Sequence, residues 1–222
     1  MREWNFDRWD RLIRTGIDSF DVDLTAEHVR QYYRHAQELR SWSQRINLTT
    51  ITAPGEMAIK HFVDSIAPVQ FLAPMQSVLD VGSGAGFPGL PLKVLCPHIE
   101  LTMIDAVRKK TSFLRQVTRL LKLTNVTVIH GRMEGLENKR YDTIISRAFG
   151  HLSFIISHAL PLLSAQGQIA VWKGHMPAKE IAAARPLLKK ASRPMALSTN
   201  AYQLPIVHAD RTLIRIHPIA TP

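Results

Sequence analysis

Cysteine is almost missing from this 222-residue chain, with Cys96 its one thiol. A single thiol excludes an internal disulfide and any zinc cluster built on several thiolates, and it fits a reducing compartment. Histidines at metal-ligand spacing are also missing, so no metal is expected. Long apolar runs are absent: Met1 to Phe20 is cut repeatedly by Arg and Asp and lacks a secretory pattern. The stretch from Phe154 to Leu163 is interrupted by polar residues and too short for a membrane span. A cytoplasmic protein without membrane contact is the expectation. Acidic residues are the other scarcity. Residues 101–150 hold 10 basic and 4 acidic side chains, and residues 151–222 hold 8 and 2, whereas residues 1–50 balance 8 against 8. Residues 101–222 therefore carry a surplus of +12, and residues 1–100 bring the net charge down to +10. Such a surplus suits a polyanionic partner, because Lys and Arg release condensed counterions when they meet phosphates.

With 45% hydrophobic residues the chain can bury one full-sized core. In the first seventy residues the pattern is helical. Val29, Tyr32, Tyr33, Ala36, Leu39 and Trp42 recur at helical spacing between Thr25 and Ile46, with Thr25 as the N-cap. A shorter amphipathic segment carrying Trp4, Trp9, Leu12 and Ile13 precedes it. A third helix starts near Pro54 and runs through Ile59, Phe62, Val63 and Ile66. Beyond Pro74 short apolar strands alternate with helices. The strands are Ser77 to Val81, Glu100 to Asp105, Val126 to His130, Tyr141 to Ser146, Gln168 to Lys173, a weaker Ala201 to Pro205, and Thr212 to His217. Helices lie at Gly89 to Leu95, Lys109 to Leu121, Leu152 to Leu163 and Pro177 to Lys189. That alternation predicts an α/β fold with a doubly wound, mostly parallel seven-stranded sheet, its last two strands antiparallel. The division expected is a helical extension over 1–70 and a sheet domain over 71–222.

The chemistry concentrates after the first strand. Ser77-Val-Leu-Asp-Val81 runs into Gly82-Ser-Gly-Ala-Gly86, glycines at alternate positions that let the backbone turn close against a ligand. The second strand ends in Asp105, nineteen residues after Gly86, where a carboxylate can accept hydrogen bonds from ribose hydroxyls. Together they indicate an adenosine-containing cofactor. A dinucleotide site needs G-x-G-x-x-G facing a pyrophosphate; here the spacing is G-x-G-x-G, Phe87 takes the last glycine's place, and Pro88 and Pro91 follow. That favours S-adenosylmethionine (SAM). Open alternatives are a SAM-dependent enzyme for a small molecule, a non-catalytic RNA-binding module on the same fold, and an NAD-linked oxidoreductase.

Five segments resemble the RsmG (GidB) family of class I SAM-dependent methyltransferases, which have a Rossmann-like fold and modify a guanine N7 of small-subunit (16S) ribosomal RNA. They are Asn47-Leu-Thr49, His61-Phe-Val-Asp-Ser65, Asp80-Val-Gly-Ser-Gly-Ala-Gly-Phe-Pro-Gly89, Phe113-Leu-Arg-Gln-Val117 and Ile145-Ser-Arg-Ala148. By that resemblance Gly82, Gly84, Gly86 and Phe87 line the cofactor pocket, Asp105 lies near the ribose, Met133 and Glu134 flank the adenine, and Arg147 borders the methyl-donor crevice. Phe87 stands where the family pattern has leucine, and the segment before Asp23 is unmatched. The implied substrate is ribosomal RNA or the 30S subunit, met by a monomer. Arg108, Lys109, Lys110 and Arg115 are the expected phosphate contacts. Arg147 and Lys173 are expected on guanine O6, on phosphate or on the cofactor carboxylate. His61 and Asp64, three apart on one helix face, serve either as a local hydrogen bond tying the helix to the sheet or in substrate contact. Guanine N7 carries a lone pair and no proton, so no residue is expected to act as general acid or base.

Overall fold

A computed structural model describes residues 4–136, 139–175 and 177–219. Its centre is a seven-stranded sheet in the order β3-β2-β1-β4-β5-β7-β6. The strands are β1 (Ser77–Val81), β2 (Glu100–Asp105), β3 (Val126–His130), β4 (Tyr141–Arg147), β5 (Leu163–Lys173), β6 (Met195–Leu204) and β7 (Ala209–Pro218). The first five are parallel, and β7 runs antiparallel between β5 and β6.

Side-chain alternation along the strands sorts the core into two layers. Val78, Leu101, Met103, Ile145, Ala170, Trp172 and Leu213 face one cluster, whose other members come mainly from α1 (Phe6–Ile17), α2 (Ala26–Ser43), α5 (Gly89–Leu95), α6 (Arg108–Leu120) and the segment 54–71. Leu79, Val81, Ile104, Ile144, Ile169, Val171, Ile214 and Ile216 face the opposite cluster, closed by α7 (Leu152–Ala159) and α8 (Ala178–Lys189). The helical first seventy residues thus share one hydrophobic cluster with the sheet. Gly16 lets α1 approach closely, since a Cβ there would stand 2.7 Å from Val63 Cγ2.

Helix starts follow local chemistry. Thr25 caps α2 by accepting from the His28 N–H, while His28 Nδ1 accepts from the Thr25 N–H. The third helix begins at Pro54 as expected but is a composite: α3 (Pro54–Met57), a π turn (Ala58–Val63), α4 (Asp64–Ile66) and a 3-10 turn to Phe71. The largest boundary differences from the sequence pattern lie at α7, β5 and β6, with smaller ones at β4, β7, α6 and α8. The helix drawn to Leu163 ends at Ala159 and tightens into a 3-10 turn containing Pro161, whose nitrogen cannot donate. Leu163 instead opens β5, pairing with Tyr141 across an irregularity in the register. The weak strand drawn from Ala201 to Pro205 spans Met195–Leu204, a ten-residue partner of β7 whose polar edge hid its length.

Candidate functional site

Strand order reverses between β1 and β4, because the chain goes outward from β1 to β2 and β3 and then returns to β4 on the other side. Open α/β sheets bind ligands outside the carboxyl ends of their strands at such a point. Gly82, Gly84 and Gly86 emerge there from β1, with φ of +68°, +55° and +87°. Asp105, at the end of β2, is fastened to this turn. Its Oδ2 accepts from the Gly84 N–H at 3.0 Å and its Oδ1 from the Val107 N–H at 2.8 Å. The Asp105 carbonyl accepts from the Gly131 N–H at 3.1 Å, which brings the segment after β3 alongside. Met133 is buried there and Glu134 exposed, 4.0 Å from His158. Hydrogen bonds thus tie the sequence-predicted glycine turn to Asp105, and Asp105 to the segment that carries Met133 and Glu134.

Asp80 escaped the sequence reading although it sits inside the glycine block. It is fully buried; Oδ2 accepts from the Gly89 N–H at 3.1 Å, while Oδ1 has no hydrogen-bond partner. Burial pushes its carboxyl up to about 7, against the Gly89 and Ser83 donors. This leaves one buried carboxylate oxygen without a protein partner beside the glycine turn. The signal was available: a carboxylate in an otherwise apolar central strand, two residues before the first glycine.

Phe87 is buried and lies nearly parallel to two imidazoles, His35 at 4.9 Å and His61 at 4.6 Å between ring centroids. The guanidinium carbon of Arg147 stands 5.0 Å from the same ring. Arg147 Nη1 donates to the Lys60 carbonyl at 3.0 Å and to Asp64 Oδ2 at 3.2 Å, and Nη2 donates to His61 Nδ1 at 3.2 Å. His61 and Asp64 therefore meet through Arg147 rather than through each other. Asp64 Oδ1 accepts from the Tyr202 hydroxyl and from Arg211 Nε, each at 3.1 Å, and its carbonyl accepts from Trp172 Nε1 at 3.0 Å. One carboxylate on the N-terminal segment thereby joins β4, β6 and β7. The spacing could not reveal Tyr202 and Arg211, which are more than 130 residues away in the chain.

Among the basic residues expected at RNA, Arg108 and Lys109 are exposed at the start of α6, Arg115 is exposed midway along it, and Lys110 is half-buried. Arg115 also donates to the Val128 carbonyl at 3.0 Å. Arg132 is exposed on the neighbouring turn after β3 and extends this rim, though the sequence reading did not pick it. Lys173 is placed differently: it is 2.8 Å from Glu180, donates to the Gly150 carbonyl at 3.2 Å, and its side chain is 13% exposed. Its charge is matched within the protein and it braces the loop after β4.

The two stacked histidines set an acid response. Burial pulls His35 down to about 4 and His61 to about 3, with Arg147 adding to the latter. Both stay neutral in the fold and protonate near 6.5 when unfolded, so the stability they give is present above pH 6.5 and is lost as pH falls toward 4 and 3. Asp80, raised to about 7, opposes this: the fold binds its proton first, and its share grows as pH drops from 7 to 4. A His35→Gln protein, which keeps a donor for the Ala85 carbonyl, should therefore lose less melting temperature than the parent between pH 7 and 4.5. Parallel melting curves across that range would contradict it.

A family model described as GidB, rRNA small subunit methyltransferase G, matches residues 27–207. The chain belongs to this family. Its relatives include the ribosomal RNA small subunit methyltransferase G of Geobacter sulfurreducens, 39% identical over 209 residues that cover 93% of this chain and 96% of the relative. The same enzyme from Geobacter metallireducens is 40% identical over 183 residues, covering 81% and 83%. Among solved structures, the precorrin-6y C5,15-methyltransferase of Geobacter metallireducens superposes with a TM-score of 0.54 at 16% identity, covering 78% of this chain and 92% of that one. That likeness shows the fold. The GidB match begins within α2, so α1 lies outside it. Among the described residues no helix is long and apolar enough to cross a membrane.

Proposed function

We propose that this GidB-family protein transfers the methyl group of SAM to N7 of a guanine in small-subunit (16S) ribosomal RNA. The observation that carries the reading is the convergence of the glycine turn, Asp105 and the unpartnered Asp80 oxygen at the switch point of a sheet whose family is an rRNA methyltransferase. These residues fit the donor. A methyl group on Gly84 would find nothing nearer than the Gly82 carbonyl at 3.7 Å, so the turn leaves room beside it. Asp80 would take the donor's ammonium group, Asp105 its ribose, and Met133 with Glu134 its adenine.

When bound, SAM supplies an electrophilic methyl group on a positively charged sulfur. The chain's task is then alignment, because N7 presents a lone pair without a proton to remove. Holding reactants in line can lower a barrier by roughly 7–11 kcal/mol. Positive charge arrives on the guanine as the methyl is transferred, so an unmatched cation against N7 would oppose the reaction. Lys173 satisfies that condition, since Glu180 neutralises it, whereas Arg147 shares the Asp64 carboxylate with Arg211 and its charge is matched only in part, which suits it to oxygen atoms rather than to N7. Arg147 Nε makes no protein hydrogen bond among the described residues, and it can donate to guanine O6, to a phosphate or to the donor's carboxylate. Arg108, Lys109, Lys110 and Arg115 supply phosphate contacts along the rim.

Ribosomal RNA from cells with and without this gene should differ by one methyl group on a small-subunit guanine. Strand scission specific to the cationic N7-methylguanine ring should report its position. Identical mass maps, or a methyl group on another atom, would refute the assignment.

A further inference from the structure

The loop leaving β4 carries an aromatic cluster that faces the glycine turn. We propose that Phe149, with Phe154 beside it, is the stacking platform on which the target purine of the RNA lies flat. This inference rests on the methyl-transfer reading above and adds the base-binding subsite to it.

The first observation is contact. Phe149 is packed so closely over Gly82 that a Cβ there would stand 2.4 Å from its ring. The ring therefore lies at the mouth of the turn, between the ends of β1 and β4 where the strand order reverses. The second is backbone shape. Ala148 and Gly150 both have positive φ, at 53° and 56°, so the residues on either side of Phe149 are left-handed. That shape is unfavourable for a residue with a Cβ such as Ala148, and it persists only where surroundings impose it. The third is bracing. Lys173 donates to the Gly150 carbonyl, Glu180 pairs with Lys173, and the same Glu180 oxygen accepts from the Leu152 N–H at 2.8 Å. The fourth is exposure. Phe154 meets Phe149 at 6.0 Å between centroids and lies against His158 at 4.3 Å with the rings tilted by 35°, yet remains 37% exposed.

The geometry of the reaction makes a flat surface useful. The N7 lone pair lies in the plane of the purine, so the methyl group must approach along an edge of the base. Stacking on a ring fixes that plane and leaves only in-plane rotation to be set by hydrogen bonds, for which Arg147, two residues before Phe149, is placed. Bases of single-stranded RNA bind proteins in this way, with aromatic side chains under their faces.

The test is methylation of isolated 30S subunits and of their RNA by the full-length protein and four variants, with donor affinity measured by calorimetry. Phe149→Leu fills a similar volume but offers no flat ring. It and Phe149→Ala should lose 10- to 100-fold in kcat/KM while binding SAM within threefold of the parent. Phe149→Tyr should recover most of the loss, and Phe154→Leu, at an exposed position that the fold tolerates, should lose about fivefold, the low end of what one stacked base contributes. A Phe149→Leu protein as active as the parent would reduce Phe149 to packing over Gly82 and overturn the proposal. So would a loss of donor affinity parallel to the loss of rate. If the parent itself methylates neither substrate, the reading of the function falls first and this subsite with it.

Discussion

Asp64→Ala should melt roughly 6–20 °C below the parent protein. The carboxylate is 6% exposed and bridges two guanidinium groups, Arg147 at 13% and Arg211 at 20% side-chain exposure, while also accepting from Tyr202. Removing one partner of a buried pair leaves an uncompensated charge, which costs about 3–5 kcal/mol. For a chain of this length each kcal/mol moves the melting point by roughly 2–4 °C. Two cations lose their counter-charge here, so a value near the upper end is expected. Asp64→Asn keeps the shape and one carbonyl acceptor, and it should fall between the two. It should also separate stability from activity: the protein remains folded at 25 °C, yet Arg147 loses the oxygen that aims it at the crevice, and methylation should drop more than the melting point suggests. Calorimetric melting of the three proteins decides the first part. An Asp64→Ala protein melting within 2 °C of the parent would show that the carboxylate is not what holds the N-terminal segment to the sheet.

The sequence spoke most clearly where structure is local. β1, β2, β3 and α5 begin and end at the residues the pattern assigned, because each is an apolar run bounded by Gly, Pro or a charged residue. Thr25 announced α2 through its capping chemistry. The long β6 was less legible: as a partly exposed strand with Ser198, Thr199, Asn200 and Gln203, it shows little hydrophobic signal, and its length is dictated by pairing with β7. The π turn at Ala58–Val63 has no sequence signature at all.

The site divides along the same line. Gly82 to Gly86 and Asp105 are readable because one short loop and one strand end carry them. Lys173 looked like a free cation in the sequence and is instead half of an ion pair with Glu180, seven residues on, formed across the end of β5 and the first turn of α8. His35 carries no signal in the sequence, and only the fold sets it against Phe87 and the Ala85 carbonyl. Phe149 was passed over because nothing local distinguishes an aromatic residue in a loop from one that merely packs. Its meaning comes from Gly82, 67 positions earlier.

Gly82 and Gly84 offer the sharpest test of how the turn works, since both are left-handed and an alanine at either bears similar backbone strain, about 1 kcal/mol or a little more. They differ in what the new methyl group meets. At Gly82 it would collide with the Phe149 ring at 2.4 Å, whereas at Gly84 the nearest atom is the Gly82 carbonyl oxygen at 3.7 Å. Gly82→Ala must therefore displace the loop after β4 and should lose both melting temperature and methylation, the latter by more than 100-fold. Gly84→Ala should melt within a few degrees of the parent, because its methyl group enters space that no protein atom fills. If that space belongs to the donor, SAM affinity measured by calorimetry should fall at least 30-fold in Gly84→Ala. Unchanged affinity there would mean that the donor lies elsewhere, whatever the glycine spacing suggests. Equal melting of the two variants would mean that Phe149 yields freely, and that its position over Gly82 is not held by the Lys173 and Glu180 brace.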